Sequence, residues 1–306
     1  MDLPIQPLIL PITQEKNIEI WVKREDLNHE IISGNKLRKL KYNLIEAKKL
    51  NYNQLLTFGG AFSNHIVATA CAGYENGFQT VGVIRGNELG DNLEKTLAEN
   101  PTLQQAHSFG MQFEFVTRTQ YRDKYNEVFV QSLHEKYGDF YLVPEGGTNA
   151  LAIKGAAEIL TEISYQQYDY ICSAMGTAGT ISGLISASLP HQKVLGFSAL
   201  NAVDFLEKAI ESYTKNHNFE LFIDNRFGGY ARYTDELIEF INYIKQNCDI
   251  PLDPIYTGKM LFRLIELVKQ DYFKPRTKIL AIHTGGLQGN NGINLLQQKK
   301  QRTLLV

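Results

Sequence analysis

The sequence predicts an α/β fold in which helices alternate with the strands of a parallel sheet. Short apolar runs of strand length recur along the 306 residues, and longer stretches with helical character separate them. Several runs end in glycines, which suit the loops that bind ligands at the carboxyl edge of an open α/β sheet. These observations predict a parallel sheet with a ligand site at that edge.

Seven runs are predicted to form strands because each is short, apolar and bounded by turn residues. NQLLTF stops at a double glycine, QFEFVTR alternates apolar and polar residues, and DFYLVPEGG ends in proline and glycine. The predicted strands are 53–58, 80–86, 112–118, 139–147, 168–176, 193–200 and 278–286. The stretches between them predict helices at 36–50, 64–76, 91–100, 120–137, 150–164, 180–188, 233–247 and 258–271.

Two sets of βα units predict two lobes. One set, 50–144, forms the predicted small domain, and the predicted large domain combines 1–49 with 145–306. No linker rich in proline, glycine or serine separates them, so the N-terminal segment is expected to intertwine the lobes.

The composition excludes several classes of function. The net charge is −2, so neither nucleic acid nor an anionic membrane is expected as a partner. The cysteines at 71, 172 and 248 form no CxxC pair, and the histidines show no metal-ligand spacing, so no disulfide framework and no metal site are expected. The first residues lack a basic start and no apolar run is long enough to span a bilayer. A reduced, cytoplasmic location is the expectation.

The stretch SGNKLRKLK, residues 33–41, has two interpretations. Four cations in nine residues are typical of a solvated helix start. Alternatively, one lysine reacts covalently with a ligand.

A small-residue turn, Gly176 to Thr180, follows a predicted strand and precedes a predicted helix. Converging backbone N–H groups, threonine hydroxyls and the positive end of the helix would suit a phosphate. The turn matches neither the P-loop nor the GxGxxG pattern, and it could also be a tight connection that binds nothing.

A second polar turn, Ser63-Asn64-His65, follows Gly59-Gly60 and opens a predicted helix. Ser63 or Asn64 suits an N-cap. The helix N-terminus would also suit a carboxylate, and the Ser63 hydroxyl could relay a proton. His65 is expected to be a binding residue at most.

A phosphate site, a carboxylate site and a reactive lysine together suit an amino acid joined to pyridoxal phosphate. Over essentially its whole length, the chain resembles the tryptophan-synthase-β-like (fold type II) pyridoxal-phosphate enzymes. The most similar branch contains D-cysteine desulfhydrase and 1-aminocyclopropane-1-carboxylate deaminase. The matching segments are VKREDLN (22–28), SGNKLRKL (33–40), FGGAFSNH (58–65), EGGTNALAIKG (145–155), MGTAGTISGL (175–184), LDPIYTGKM (252–260) and HTGG (283–286). The resemblance implies a two-lobed, three-layer αβα fold, pyridoxal 5′-phosphate as cofactor and a homodimer.

The resemblance also implies roles for individual residues. Lys36 would carry the cofactor and move protons, and Lys39 would contact its phosphate from the same helical face. Ser63, Asn64 and His65 would bind the substrate, with Asn64 also on the ring hydroxyl. The remaining implied cofactor contacts are Asn35, Gly176, Thr177, Ala178, Gly179, Thr180, Thr257 and Thr284, and the implied catalytic tyrosines are Tyr230 and Tyr256.

The other residues of the stretch 33–41 are then left with simpler explanations. Arg38 and Lys41 would keep the solvated-helix interpretation. Gly34 and Asn35 would allow the backbone to approach a flat cofactor ring. The irregular stretch 215–230 could be a lid or a loop that faces the substrate.

Two positions favour the desulfhydrase over the deaminase. By the same resemblance, the deaminases have glutamate where this chain has Thr257 and leucine where it has Thr284. That glutamate keeps the pyridine nitrogen protonated, whereas a threonine hydroxyl fixes no charge. The expected reaction is β-elimination from D-cysteine or a β-substituted relative. The alternatives are the deaminase, an L-serine/threonine dehydratase or cysteine synthase of the same fold, and a protein that binds the cofactor without catalysis.

Overall fold

Two β-sheets with helices packed on them make up the fold. The computed structural model describes residues 3–161, 165–198, 203–223, 226–229 and 231–306. The strands are β1 (Ile5–Pro7), β2 (Glu19–Lys23), β3 (Gln54–Gly60), β4 (Gln79–Arg85), β5 (Gln112–Val116), β6 (Tyr141–Val143), β7 (Tyr170–Met175), β8 (Lys193–Ser198), β9 (Phe219–Ile223) and β10 (Lys278–Ile282).

The helices follow the strands in regular alternation over most of the chain. They are α1 (Pro11–Glu15), α2 (Asn35–Lys49), α3 (Asn64–Asn76), α4 (Leu93–Glu99), α5 (Pro101–Ser108), α6 (Arg118–Arg122), α7 (Glu127–Tyr137), α8 (Ala150–Thr161), α9 (Gly179–Ala187), α10 (Val203–Glu211), α11 (Asp235–Cys248), α12 (Thr257–Lys269) and α13 (Asn290–Lys299). None of these helices is both long and apolar enough to cross a membrane.

The larger sheet has the order β1-β2-β10-β7-β8-β9, and the smaller sheet has the order β5-β4-β3-β6. All pairings are parallel except β1 with β2. Helices cover both faces of the larger sheet, as parallel sheets require. Along β7, Cys172 and Ala174 pack in one core and Ile171 and Met175 in the other. The carboxyl ends of the parallel strands therefore point into loops at one edge of each sheet.

The predicted α/β fold is confirmed, and each of the seven predicted strands overlaps an observed one. The prediction missed β1, β2 and β9, and β9 lies within the stretch 215–230 that showed no period. The single helix predicted over 120–137 was wrong. It is two helices, because Asn126 starts α7 by accepting a hydrogen bond from the Val128 N–H at 3.0 Å. The domain boundaries stay a prediction.

Glycines bring three helices unusually close together. A Cβ at Gly155 of α8 would lie 1.9 Å from the carbonyl oxygen of Arg38 in α2. A Cβ at Gly183 of α9 would lie 2.8 Å from the carbonyl oxygen of Ile153 in α8. Both distances are far below van der Waals contact, so α2, α8 and α9 pack backbone against backbone. This packing fixes the start of α9 relative to the first turns of α2.

We expect Gly155→Ala to destabilise the protein by about 1–3 kcal/mol, because the new methyl group must push α2 away from α8. Gly292→Ala is the matched control. Gly292 is also helical, but nothing lies within 4 Å of the place that a methyl group there would take, so the better helix propensity of alanine should leave stability unchanged or slightly higher. Urea unfolding of both variants measures the difference. Equal stabilities would contradict the close packing.

Candidate active site

The N-terminus of α2 is locked onto the loop after β10. Gly34 has φ +73°, and a Cβ there would lie 2.0 Å from the carbonyl oxygen of Thr284. The same oxygen accepts a hydrogen bond from the Asn35 N–H at 3.2 Å. The Asn35 side chain donates to Thr180 Oγ1 at 2.8 Å. A close contact within the protein therefore requires glycine at position 34, and the predicted approach of this backbone to a cofactor ring stays a prediction.

A buried charge network supports this loop from behind. Glu25 is fully buried and pairs with Lys23 at 3.3 Å and with Arg38 at 2.9 Å. The prediction that Arg38 is solvated was wrong, since only 9% of the residue is exposed. Lys41 is exposed and pairs with Glu158 at 2.6 Å. Charged partners are what make burial of a guanidinium tolerable.

Residues 23–28 also fix the backbone immediately before α2. Asn28 accepts from the Gly34 N–H at 3.0 Å and donates to the Gly34 carbonyl at 2.9 Å. The Ser33 hydroxyl donates to the carbonyl of Asp26 at 2.9 Å. Residues 23–28 thus position the first turn of α2.

Lys36 lies in this first turn and is partly buried. Within the described residues, its amine has neither a hydrogen-bond nor an ion-pair partner. Burial lowers the pKa of Lys36 to about 8. A neutral amine is a nucleophile and a base, so near neutral pH Lys36 is far more reactive than an ordinary lysine.

Lys39, one turn further along α2, is only 1% exposed. Its ammonium donates to the Gly146 carbonyl, to Thr148 Oγ1 at 2.9 Å and to Thr177 Oγ1 at 3.4 Å. These acceptors are all neutral, and no described carboxylate lies within ion-pair distance. Burial and the neighbouring Lys36 hold the pKa of Lys39 well below its usual value. The described residues therefore provide no counter-charge for a Lys39 ammonium, and a bound anion would stabilise its charged form.

The small-residue turn 176–180 meets this ammonium at the start of α9. A Cβ at Gly179 would lie 2.9 Å from Lys39 Nζ and 2.9 Å from Thr148 Oγ1. Thr177 and Thr148 share a hydrogen bond of 2.8 Å between their hydroxyls. The first N–H groups of a helix lack partners within the helix. Lys39, the hydroxyls of Thr148 and Thr177, and the N-terminus of α9 thus lie next to one another.

The turn 63–65 follows β3 and opens α3. Ser63 occupies the N-cap position, but its side chain makes no capping hydrogen bond. The Ser63 hydroxyl and the Asn64 amide have no hydrogen-bond partner among the described residues, so both remain available to a ligand. His65 is only 2% exposed, and its Nε2 lies 2.8 Å from Thr57 Oγ1. Burial and the amines of Lys36 and Lys39 hold its pKa well below the usual value, which keeps the ring neutral.

Tyr256 and Thr257 stand at the start of α12. The Tyr256 hydroxyl would lie 3.2 Å from a Cβ at Gly176, so the tyrosine borders the turn 176–180. Thr257 is fully buried, and its hydroxyl donates to Asp253 at 2.6 Å. The Asp253 carboxylate also accepts from the backbone N–H groups of residues 255–257. Thr257 therefore helps to hold the turn 253–257 that positions Tyr256.

The structure brings most of the predicted residues together. Loops after β3, β6, β7 and β10 meet the start of α2. The side chain of Thr257 is turned into the protein, and Tyr230 lies outside the described residues. The roles assigned to individual residues stay predictions.

The sequence missed Thr148 and Asp253. Thr148 follows the double glycine at 146–147, which is the signal that could have identified it.

The site fits pyridoxal phosphate. The Lys36 amine, which has no partner among the described residues, suits the aldehyde of the cofactor. The buried Lys39 amine with its neutral acceptors suits a phosphate. A side chain at Gly179 would collide with Lys39 and Thr148, so glycine lets the start of α9 approach the Lys39 amine closely. Among the described residues no group of three or more His, Cys, Asp or Glu side chains could hold a metal ion.

Comparison with known proteins gives a consistent result. Residues 5–285 match the family described as pyridoxal-phosphate dependent enzyme. A Pyrococcus furiosus protein with the provisional name of a 1-aminocyclopropane-1-carboxylate deaminase is 32% identical over 311 residues, covering 94% of this chain and 90% of its own. The Arabidopsis thaliana protein named bifunctional D-cysteine desulfhydrase/1-aminocyclopropane-1-carboxylate deaminase, mitochondrial, is 31% identical and covers 89% and 73%.

Solved structures agree in fold. The crystal structure of an ACC deaminase homologue superposes with a TM-score of 0.80 at 28% identity and covers 97% of this chain and 94% of that one. An O-acetylserine dependent cystathionine β-synthase from Helicobacter pylori has a TM-score of 0.67 at 15% identity, covering 93% and 92%. The second similarity concerns the fold alone.

We expect Lys36 to react with acetic anhydride at lower pH than other lysines in cofactor-free protein. Only the neutral amine reacts, and a pKa of about 8, well below the ordinary value of 10.5, makes it available at lower pH. Mass spectrometry across pH 6–11 measures each site. Lys41 is the internal control, because its hydrogen bond with Glu158 raises its pKa. Identical profiles for the two lysines would contradict the perturbation.

We expect Lys39→Met to weaken pyridoxal phosphate binding roughly 10- to 100-fold, because a charge-assisted contact to the phosphate is lost. Binding of pyridoxal, which lacks the phosphate, should change little. Fluorescence titration of cofactor-free protein with both compounds measures the two affinities, with Lys41→Met as the control. Equal losses for the two compounds would show that Lys39 does not recognise phosphate.

Proposed function

The chain belongs to the family of pyridoxal-phosphate-dependent enzymes, and we propose that it eliminates sulfide from D-cysteine. The products are pyruvate, ammonia and hydrogen sulfide, and one water is consumed. The observation that carries this choice is Thr257, a neutral residue at the position where the deaminase pattern has glutamate. Its hydroxyl is engaged by Asp253 at 2.6 Å.

The charge around Asp253 supports the same choice. Each of its carboxylate oxygens accepts two hydrogen bonds, three from backbone N–H groups and one from the Thr257 hydroxyl. This carboxylate is thereby committed to shaping the start of α12. A carboxylate kept free to hold a positive charge on the pyridine nitrogen would favour the deaminase, because opening a cyclopropane ring without an α-hydrogen demands a stronger electron sink.

Pyridoxal phosphate, when bound, withdraws electrons from the substrate Cα and so makes its proton acidic. The residues of the chain do the rest. The Ser63 hydroxyl and the N–H groups at the start of α3 hold the carboxylate of the amino acid. The neutral amine of Lys36 takes the proton from Cα, since its lowered pKa suits a general base.

Bond cleavage follows from that proton transfer. The electron pair left at Cα forms a double bond with Cβ while the Cβ–S bond breaks, and the thiolate leaves with the bonding pair. We assign to Tyr256, which borders the turn 176–180, the proton that the departing sulfur takes up. The released 2-aminoacrylate takes up water and yields pyruvate and ammonia.

The second candidate is deamination of 1-aminocyclopropane-1-carboxylate to 2-oxobutyrate and ammonia. The name of the Arabidopsis thaliana relative carries both activities. The sequence differences at Thr257 and Thr284 favour the desulfhydrase.

A substrate panel tests the proposal. Holoenzyme is mixed in turn with D-cysteine, L-cysteine, L-serine and 1-aminocyclopropane-1-carboxylate, and pyruvate and 2-oxobutyrate are quantified. We expect pyruvate from D-cysteine with at least about tenfold preference over the L-isomer, and a loss of about 10³-fold or more in Lys36→Ala.

Each other outcome has its own meaning. Higher kcat/KM for 2-oxobutyrate release identifies the deaminase, and pyruvate from L-serine identifies the dehydratase branch. No product from any β-substituted D-amino acid overturns the proposal. Borohydride treatment that fixes the cofactor to Lys36 without any turnover would point to a carrier.

A further inference from the structure

The segment 226–229 makes a sharp turn between β9 and α11. Gly228 and Gly229 have φ values of +80° and +96°, and Ala231 has +58°. Glycine adopts such φ values readily, whereas at alanine the conformation is strained. Such a turn persists only where surrounding contacts hold it.

One face of α12 provides those contacts. Lys259 Nζ donates to the Gly229 carbonyl at 2.9 Å and lies 5.8 Å from the centre of the Phe227 ring. Phe227 is 2% exposed and packs edge-on against Phe262 at 5.2 Å. Arg226 pairs with Glu266 at 3.3 Å. The three helix residues are three or four positions apart and therefore lie on one face.

Lys259 is the unusual member of this group. It is only 6% exposed, and among its contacts is the hydrogen bond to the Gly229 carbonyl. Burying an ammonium carries a large desolvation penalty, and an apolar side chain of similar length would pack with less cost. What the ammonium adds is a directional hydrogen bond that specifies one conformation of the turn.

The same helix carries part of the candidate active site. Tyr256 and Thr257 begin α12, and Lys259 follows within its first turn. Tyr256 borders Gly176 of the turn 176–180. A short, rigid stretch of α12 therefore connects the turn 226–229 with the wall of the site.

We propose that Lys259 is a positioning residue that fixes the turn 226–229 against α12, the helix whose start carries Tyr256. The proposal rests on the proposed function. Tyr230, which follows Gly229 in the sequence, is outside the described residues, and the proposal does not depend on its placement. In this proposal Lys259 acts through the Gly229 carbonyl.

Three variants test the proposal in the holoenzyme. We expect Lys259→Met to lower kcat/KM for D-cysteine at least about tenfold, mostly in kcat, because small displacements of active-site groups lower the rate strongly. Cofactor content should not change. Lys259→Arg, which can still donate to the carbonyl, should recover activity to within about threefold of the wild type.

Arg263→Met is the matched control. Arg263 is a cation on the same helix, but it lies over the Phe222 ring at 5.9 Å, in β9. We expect its kcat/KM to stay within about twofold of the wild type, as for substitutions away from special features.

Hydrogen exchange gives a readout that does not depend on turnover. The amides of residues 226–233 should exchange faster in Lys259→Met than in the wild type or in Arg263→Met. Unchanged exchange would show that Lys259 does not hold the turn. Faster exchange with unchanged kcat/KM would show that the turn is held but has no role in catalysis. A wild type that fails to process D-amino acids would overturn the proposed function, while exchange still decides whether Lys259 fixes the turn.

Discussion

A buried ammonium without a described counter-ion organises the candidate site. Lys39 lies among the oxygens of Gly146, Thr148 and Thr177, and Lys36 adds a second amine nearby. Burial and the charge of Lys36 both lower the affinity of Lys39 for its proton. A bound phosphate would supply the missing negative charge. The protein thus gives up stability at this place in order to bind an anion, a common feature of ligand sites.

The scaffold around the two lysines is rigid for identifiable reasons. Gly155 and Gly183 let α2, α8 and α9 approach until backbone meets backbone, so the start of α9 cannot drift away from Lys39. The buried Glu25 holds Lys23 and Arg38, and the neighbouring Asn28 holds Gly34. Breaking a buried ion pair by removing one partner is strongly destabilising, which makes Glu25 a structural centre for the first turn of α2.

The start of α12 connects chemistry with specificity. Asp253 arranges the backbone under Tyr256 and engages the Thr257 hydroxyl, while Lys259 reaches to the turn 226–229 on the other side. Selectivity between elimination and ring opening would then depend on the charge that this short region leaves available. The neutral Thr257 and the fully engaged Asp253 fit the less demanding elimination.

The sequence by itself determined the alternation of strands and helices, the position of glycine-rich turns at strand ends, and the shared helical face of Lys36 and Lys39. These features follow from local periodicity and turn chemistry, which neighbouring residues specify. Tertiary structure alone decided that Arg38 is buried against Glu25, that Gly34 meets the carbonyl of Thr284, and that Thr257 turns inward. Their partners are distant in sequence or separated by a turn, and β2 likewise becomes a strand by pairing with β10, near the other end of the chain. Composition and hydrophobic periodicity do not predict which distant carbonyl or carboxylate a residue will contact, because only packing of the whole chain brings the two together.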